Sequence, residues 1–297
     1  MPTKRDPLQA LLLGGVAWNT MVYVDSFPEP RPQTVFTRGS HETVGSSGAG
    51  KALNLRHLGA DVTVWGLIGD DAPGRRIREV FQSRGINFIS AIDPEGTMRH
   101  INLMDANGDR ISIFANPGSQ DFDVAVESVA DAAGTADVVS VTIMNYCRQF
   151  LPMLQEIDKP IWVDIHDYDG INPYHREFVE AADYLLMSSV AHPDWRSFLE
   201  ERIAAGTRAA ICTHGSAGAS GLTAEEGWVD IDAVAVSEAV DTNGAGDAFF
   251  AGFVTAWMEE ERLRNAMHHG AKVAGAAVQS PDLAPPPHLE SGVDTGE

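Results

Sequence analysis

Cysteine is nearly absent. Cys147 and Cys212 are the only two in 297 residues, and their spacing suits neither a metal site nor a redox pair. Both are read as buried thiols in a reducing compartment, which places the chain in the cytoplasm. Basic residues are scarce as well. Lys and Arg number 21 against 42 Asp and Glu, a formal net charge of −21. That excludes nucleic acid and anionic membrane surfaces as partners, because both select basic patches. No apolar run is long enough to span a bilayer. Lys4-Arg5 ahead of Leu8 to Trp18 loosely imitates a signal peptide. Its apolar part is short, broken by Gly14-Gly15, and lacks a small-x-small cleavage site. A buried first strand over Leu11 to Val16, running into a glycine turn, explains it better.

What is present points to one large globular domain over residues 1–297. Hydrophobic residues make up 44%, enough for a sizeable core. There is no internal repeat and no interdomain linker. From residue 124 on, helix and strand patterns alternate, with strands near 137–143, 160–165, 183–187 and 208–213. That rhythm predicts an α/β fold with a central, mainly parallel, doubly wound sheet and helices on both faces. Ligands in such sheets gather at the carboxyl ends of strands. Asn145, Asp164 and His166 are polar residues at those ends. Asn145 is a substrate-contact candidate, and Asp164 reads equally well as a loop cap. Residues 97–103 and 109–114 alternate apolar and polar around Asn107-Gly108, a strong hairpin signal. A second hairpin is expected over 219–230 and a last helix over 262–278. The tail from Pro281 reads as irregular.

The most informative stretch is Val240-Asp241-Thr242-Asn243-Gly244-Ala245-Gly246-Asp247-Ala248-Phe249-Phe250-Ala251-Gly252-Phe253. A largely buried helix follows Asp247, so Gly244-Ala245-Gly246 sits where a loop becomes a helix start. Glycines there leave consecutive N–H groups open to a ligand. The helix end adds partial positive charge, suited to a phosphate or a developing anion. Asp247 falls in the first turn and can face the same space. An acid able to take a proton, beside amides able to hold negative charge, is what phosphoryl transfer to a hydroxyl needs. Ordinary capping is the plainer reading of such an Asp.

The run D-T-x-G-A-G-D-x-F-x-x-G is long, and it resembles the C-terminal motif of the ribokinase-like (PfkB) carbohydrate kinases. The resemblance implies a catalytic base at Asp247 and an anion hole from the amides of Gly244, Ala245 and Gly246. It extends from Leu11 to Gln279. Near the start, G-G-V-A-W-N-T-M resembles the family's opening, where an Asp binds sugar hydroxyls. Here that place falls on Asn19, and another polar position of the pattern is Ala17. Gly66 to Gly74 spells G-x-x-G-D-D-x-x-G, similar to the family's first motif, and its acids read as caps.

The stretch Gly45-Ser46-Ser47-Gly48-Ala49-Gly50-Lys51-Ala52 nearly spells a P-loop. Ala52, however, offers no hydroxyl for magnesium. The stretch resembles instead the family's sugar-binding G-G-x-x-x-N-x-A, which makes Gly45, Ser46 and Gly50 substrate-site candidates. Ser46 and Gly50 stand where the family has Gly and Asn. Thr213, Gly215 and Gly218 resemble the T-x-G-x-x-G turn beside the nucleotide. Asn243 and Gly246 join them as nucleotide contacts by resemblance, and Lys272 on the last helix falls beside the adenine. Ser188 and Ala191 replace the N-x-x-E tied to magnesium and phosphate in the family.

The resemblance therefore implies an ATP- and Mg2+-dependent kinase acting on a hydroxymethyl group of a small sugar, polyol or similar molecule. A monovalent cation such as K+, used by some relatives, would lie near Asp241. The lid is expected from segments around 21–40 and 97–114. Its half-exposed sheet is a natural surface for a homodimer. Its few cations, Arg99, His100 and Arg110, argue against a phosphosugar. Two alternatives stay open: a nucleoside kinase of the same fold, and a non-catalytic sugar or nucleotide sensor.

Overall fold

The computed structural model describes residues 6–106, 108–237, 240–259, 262–280 and 283–284. Lys4-Arg5, Asn107 and all of the tail from Pro281 except Leu283 and Ala284 lie outside the described residues. In chain order the elements begin β1 (Gln9–Leu13), β2 (Ala17–Tyr23), β3 (Gly39–Gly45), α1 (Ser47–His57), β4 (Asp61–Ile68), α2 (Ala72–Ser83) and β5 (Asn87–Ile92). There follow β6 (Arg99–Met104), β7 (Arg110–Asn116), α3 (Ala130–Thr135), β8 (Val138–Val141), α4 (Leu151–Glu156), β9 (Ile161–Asp164) and α5 (Arg176–Ala181). The chain ends through β10 (Tyr184–Ser188), α6 (Trp195–Ala204), β11 (Ala209–Thr213), β12 (Ala219–Thr223), β13 (Gly227–Ile231), α7 (Ala245–Met258) and α8 (Leu263–Ala277).

Nine strands form one sheet in the order β13-β12-β11-β10-β9-β8-β1-β4-β5. The pairs from β11 to β5 are parallel, while β12 and β13 add an antiparallel hairpin at one edge. Strand side chains alternate between faces, and β1 shows it. Leu12 joins a core that includes Ile77, Phe81, Phe250, Phe253 and Met267, from α2, α7 and α8. Leu11 and Leu13 join an opposite core with Phe150, Leu154, Phe178 and Leu199, from the α4, α5 and α6 side. The sheet is thus covered on both faces, as the near-continuous apolar strands require.

A separate four-stranded sheet, in the order β3-β2-β6-β7, forms the lid. Its boundaries differ from the expected 21–40. Two strands flank an irregular stretch, because Pro28, Pro30 and Pro32 remove backbone donors there. The first strand of the large sheet also ends earlier than expected, at Leu13. The chain turns through Gly14 and Gly15, at φ 87° and 66°, which L side chains rarely adopt. Among the described residues β7 is an edge strand of the lid, and Ile111 and Ile113 on it are exposed.

Candidate active site

Two helix starts and one strand end converge above the large sheet. Trp162 on β9 stacks on Tyr184, with ring centroids 3.8 Å apart. It also takes the edges of Phe250 and Phe253 at 6.1 and 6.2 Å. Aromatic pairs at such spacings are favourable beyond their burial. Trp162 lies two residues before Asp164, so this packing sets the start of α7 over the carboxyl end of β9. Losing either phenyl ring would cost about 3–5 kcal/mol and free that placement.

Gly244, at φ 79°, turns the chain into α7, and no side chain caps the helix. The Ala245 amide donates to the Thr242 carbonyl at 3.2 Å, and the Ala248 amide to Gly244 at 2.9 Å. First-turn amides such as those of Gly246 and Asp247 have no acceptor within the helix. Gly244, Ala245, Gly246 and Asp247 all line one cleft of about 780 Å³.

Asp247 is not alone. Its Oδ1 accepts from Lys51 Nζ at 2.6 Å and from Ser47 Oγ at 3.2 Å. Lys51 Nζ also donates to Ser47 Oγ at 2.6 Å and to Asp164 Oδ2 at 2.9 Å. The Lys51 side chain is 1% exposed. Burial alone would lower its pKa, but the two carboxylates outweigh that and raise it. Asp164 is pulled the other way. Burial pushes its carboxyl up, but the charges of His166 and Lys51 bring it down to about 2. Asp164 Oδ1 also accepts from the His166 amide at 2.9 Å, so the loop-cap reading holds alongside the ion pair. In the near P-loop, Lys51 thus points its charge at Asp247. Sequence reasoning missed this role. The available signal was position: Lys51 lies four residues before buried Leu55, on the inward face of α1.

The lid supplies the opposite wall. Asn19 and His100 are register partners on β2 and β6, and both line the cleft. Among the described residues Asn19 Oδ1 and His100 Nε2 are buried without a hydrogen-bond partner. Burial, helped by the charge of Arg110, pushes the His100 ring down to about 4, so it is neutral at pH 7. Phe114 packs on His100 with centroids 4.2 Å apart and keeps 58% exposure. Ser46 and His166 line the cleft at φ 72° and 52°. Non-glycine residues in that region carry strain and concentrate at functional sites.

The remaining sequence candidates sort by position. Thr213, Asn243 and Gly246 line the cleft together with Ser188 and Asp167. Gly45 packs against the Asn19 side chain, and a Cβ there would lie 2.8 Å from Asn19 Oδ1. Gly50 packs against Asp247 in the same way. Gly215 and Gly218 form a turn beyond the cleft lining, with φ 58° and 99°. Lys272 is exposed on α8 and does not line the cleft. Asn145 is also outside it: its Nδ2 donates to Asp121 Oδ1 at 2.8 Å, in a 3-10 turn after β8. Asp241 is buried, and its oxygens accept from Tyr23 Oη at 3.0 Å and from the Asn243 amide at 2.7 Å. Asp71 caps α2, accepting from the Gly74 amide at 2.8 Å.

Comparison with known proteins gives this geometry a context. A family model described as pfkB family carbohydrate kinase matches residues 16–289. The acarbose 7(IV)-phosphotransferase of Actinoplanes sp. is 30% identical over 271 residues, covering 90% of each chain. A nucleoside kinase of Methanothermobacter thermautotrophicus is 27% identical over 288 residues, covering 91% of this chain and 89% of its own. Among solved structures, a microbiome-derived acarbose kinase superposes with a TM-score of 0.83 at 28% identity, covering 93% of this chain and 94% of its own.

Proposed function

The chain belongs to the pfkB family of carbohydrate kinases, and from that premise we propose that it transfers the γ-phosphoryl group of ATP to a hydroxymethyl group of a sugar-like molecule, with Asp247 as base. The observation that carries this reading is the cleft itself. One space holds the Asp247 carboxylate, the start of α7 without a side-chain cap, and the buried Asn19 Oδ1 and His100 Nε2, which find no hydrogen-bond partner among the described residues.

In this reading the acceptor hydroxyl gives its proton to Asp247. Its oxygen bonds to the γ-phosphorus as the bond to the ADP oxygen breaks. First-turn amides of α7 hold the equatorial phosphoryl charge. Thr213 and Asn243 flank the nucleotide phosphates. Kinases of this family use ATP and Mg2+. The described residues hold no group of three or more acidic, His or Cys side chains placed for a metal. Magnesium bound with the nucleotide would neutralise phosphate charge beside the cleft-lining Ser188, Thr213 and Asn243. A monovalent cation would fit beside Asp241, whose burial raises its carboxyl above the usual range. A second copy of the chain would pair along the edge strand β7.

The lid wall favours a neutral polyhydroxylated acceptor. Asn19 Oδ1 accepts from one hydroxyl, the neutral His100 bonds another, and Phe114 presents a ring to an apolar sugar face. The test is a screen of ATP consumption against monosaccharides, polyols, nucleosides and acarbose. A sugar or cyclitol turned over by wild type and not by Asp247→Asn is the expected result. Loss of a general base should cost about 10²–10⁴-fold in kcat, while calorimetric affinity for a non-hydrolysable ATP analogue persists. Preference for a nucleoside would replace the substrate reading. A variant with near-normal kcat would remove Asp247 from its role.

A further inference from the structure

The buried cation beside the reacting centre has no part in the reading so far. An ammonium out of water is tolerated only where partners replace its hydration. Lys51 has three N–H donors, and three acceptors take them: Ser47 Oγ, Asp247 Oδ1 and Asp164 Oδ2. The face of Phe250 lies 5.1 Å from Nζ, a further favourable contact for a desolvated cation. No proton of Lys51 is left for a phosphate oxygen. Its charge is directed wholly inward, at the acid that faces the cleft.

The arrangement is also asymmetric. Lys51 and Ser47 hold Oδ1 of Asp247. Oδ2 accepts no hydrogen bond among the described residues and leans over Gly50, where a Cβ would come within 2.8 Å of Asp247 Cγ. One oxygen is pinned and the other is available to an incoming proton. The second acid completes the device. Two carboxylates and one ammonium sum to one negative charge. When Asp247 takes a proton it becomes neutral, and Lys51 would become an unpaired buried charge if Asp164 were absent.

We propose that Lys51 is a positioning residue that fixes the Asp247 carboxylate for proton uptake, and that Asp164 is the counter-ion that keeps Lys51 charged and in place through the transfer. This rests on the kinase reading above, with Asp247 as base. The titratable and charged groups that share the cleft are Asp164, His166 and Asp167 at the end of β9, and His100, Asp109 and Arg110 from the lid. Among the described residues Lys51 ion-pairs with Asp247 and Asp164, and His166 Nδ1 lies 3.6 Å from the same Asp164 Oδ2 that Lys51 uses.

The two partners act on Asp247 with opposite sign, and that separates this role from a merely structural one. Removing the cation disfavours the ionised base. Removing Asp164 leaves the cation to Asp247 alone and favours it. The experiment is the pH dependence of kcat for wild type, Lys51→Met and Asp164→Asn, with saturating ATP and the best acceptor from the screen. In Lys51→Met the acid limb should move to higher pH by about 1–3 units. In Asp164→Asn it should move to lower pH. Affinity for a non-hydrolysable ATP analogue should stay within about threefold in both, since no phosphate contact is lost. If Lys51→Met does not fold, Lys51→Met/Asp164→Asn removes one charge of each sign, and should still move the limb upward, by less. Limbs that stay put, or move in the same direction in both single variants, overturn the proposal. So does a collapse of nucleotide affinity in Lys51→Met, which would put Lys51 on the phosphates. A wild type with no acceptor in the screen overturns the kinase reading and this one together. An active wild type with unmoved limbs overturns only this one.

Discussion

The hydroxyl of Tyr23, on the lid, donates to Oδ2 of Asp241, on the loop that leads into α7, across 3.0 Å. Two more contacts join the same pieces. Thr242 Oγ1 donates to the Gly108 carbonyl at 2.7 Å, and Arg110 donates to Asn243 Oδ1. The lid that walls the acceptor side is thus tied to the residues just before the proposed anion hole. In the proposed reaction, acceptor binding and phosphoryl placement would share one loop.

Tyr23→Phe tests that tie. Burial raises the Asp241 carboxyl, and the Asn243 amide and the Tyr23 hydroxyl bring it partway back. An acid whose folded pKa is raised costs stability when ionised. Removing a donor to the ionised form raises it further. The variant should lose about 1–3 kcal/mol at pH 7. That loss should shrink as pH falls through the carboxylate range, where both proteins hold Asp241 neutral. Urea unfolding at several pH values measures it. A loss that does not change with pH would separate the hydroxyl from Asp241.

Asp164 has the opposite sign. Its folded value of about 2 lies below the ordinary 3.8. Its contribution is therefore fully present above the unfolded value and is lost as pH falls through the folded one. The difference amounts to about 2 kcal/mol at pH 7. The stability gap between wild type and Asp164→Asn should be near that size at pH 7 and about half of it at pH 3. A gap that widens on acidification would mean the Lys51–Asp164 pair does not hold the acid in its ionised form.

How much of this was legible in the sequence depends on the range of the contacts. The parallel sheet, the hairpin around Gly108 and the helix after Gly244 follow from periodicity and turn chemistry, which are local. The place of Asp247 in the first turn of α7 is local too. The Lys51–Asp247 pair spans 196 positions and the Lys51–Asp164 pair 113, so no pattern near Lys51 announces them. There the glycines imitate a phosphate loop, while Lys51 Nζ is directed at Asp247 and Asp164. Asn145 lies away from the cleft for a related reason. Its place after a strand is right for the fold, but the chain enters a 3-10 turn and its amide finds Asp121.

Gly50 supports the site through its missing side chain. In Gly50→Ala the new methyl group would meet the Asp247 carboxylate, with Cγ 2.8 Å away and Oδ2 closer still. Asp247 cannot simply swing aside, because Lys51 holds Oδ1. The carboxylate should shift by a fraction of an ångström to one ångström, a displacement that can cost about 10²-fold. The expected outcome is a large fall in kcat with a cooperative unfolding transition kept. Comparable kcat in both proteins would show that the carboxylate has more freedom than these contacts allow.

Asn19 sets the last prediction. It is 2% exposed and lines the cleft beside its register partner His100, and its Oδ1 finds no hydrogen-bond partner among the described residues. Asn19→Asp adds negative charge at that buried position. In wild type, burial and Arg110 hold the His100 ring near 4, so no cation stands ready beside the new charge. The amide also loses its two N–H donors, so any acceptor atom of the substrate met there goes unpaired. A buried group left without its partner costs about 1–3 kcal/mol. The variant should therefore lose about 5- to 150-fold in kcat/KM for the best acceptor, chiefly through KM, and wild type should use ribose poorly. Steady-state kinetics with the best acceptor and with ribose, in both proteins, measures this. If Asn19→Asp improves the best acceptor, or if wild type already prefers ribose, Asn19 does not select the substrate in this way.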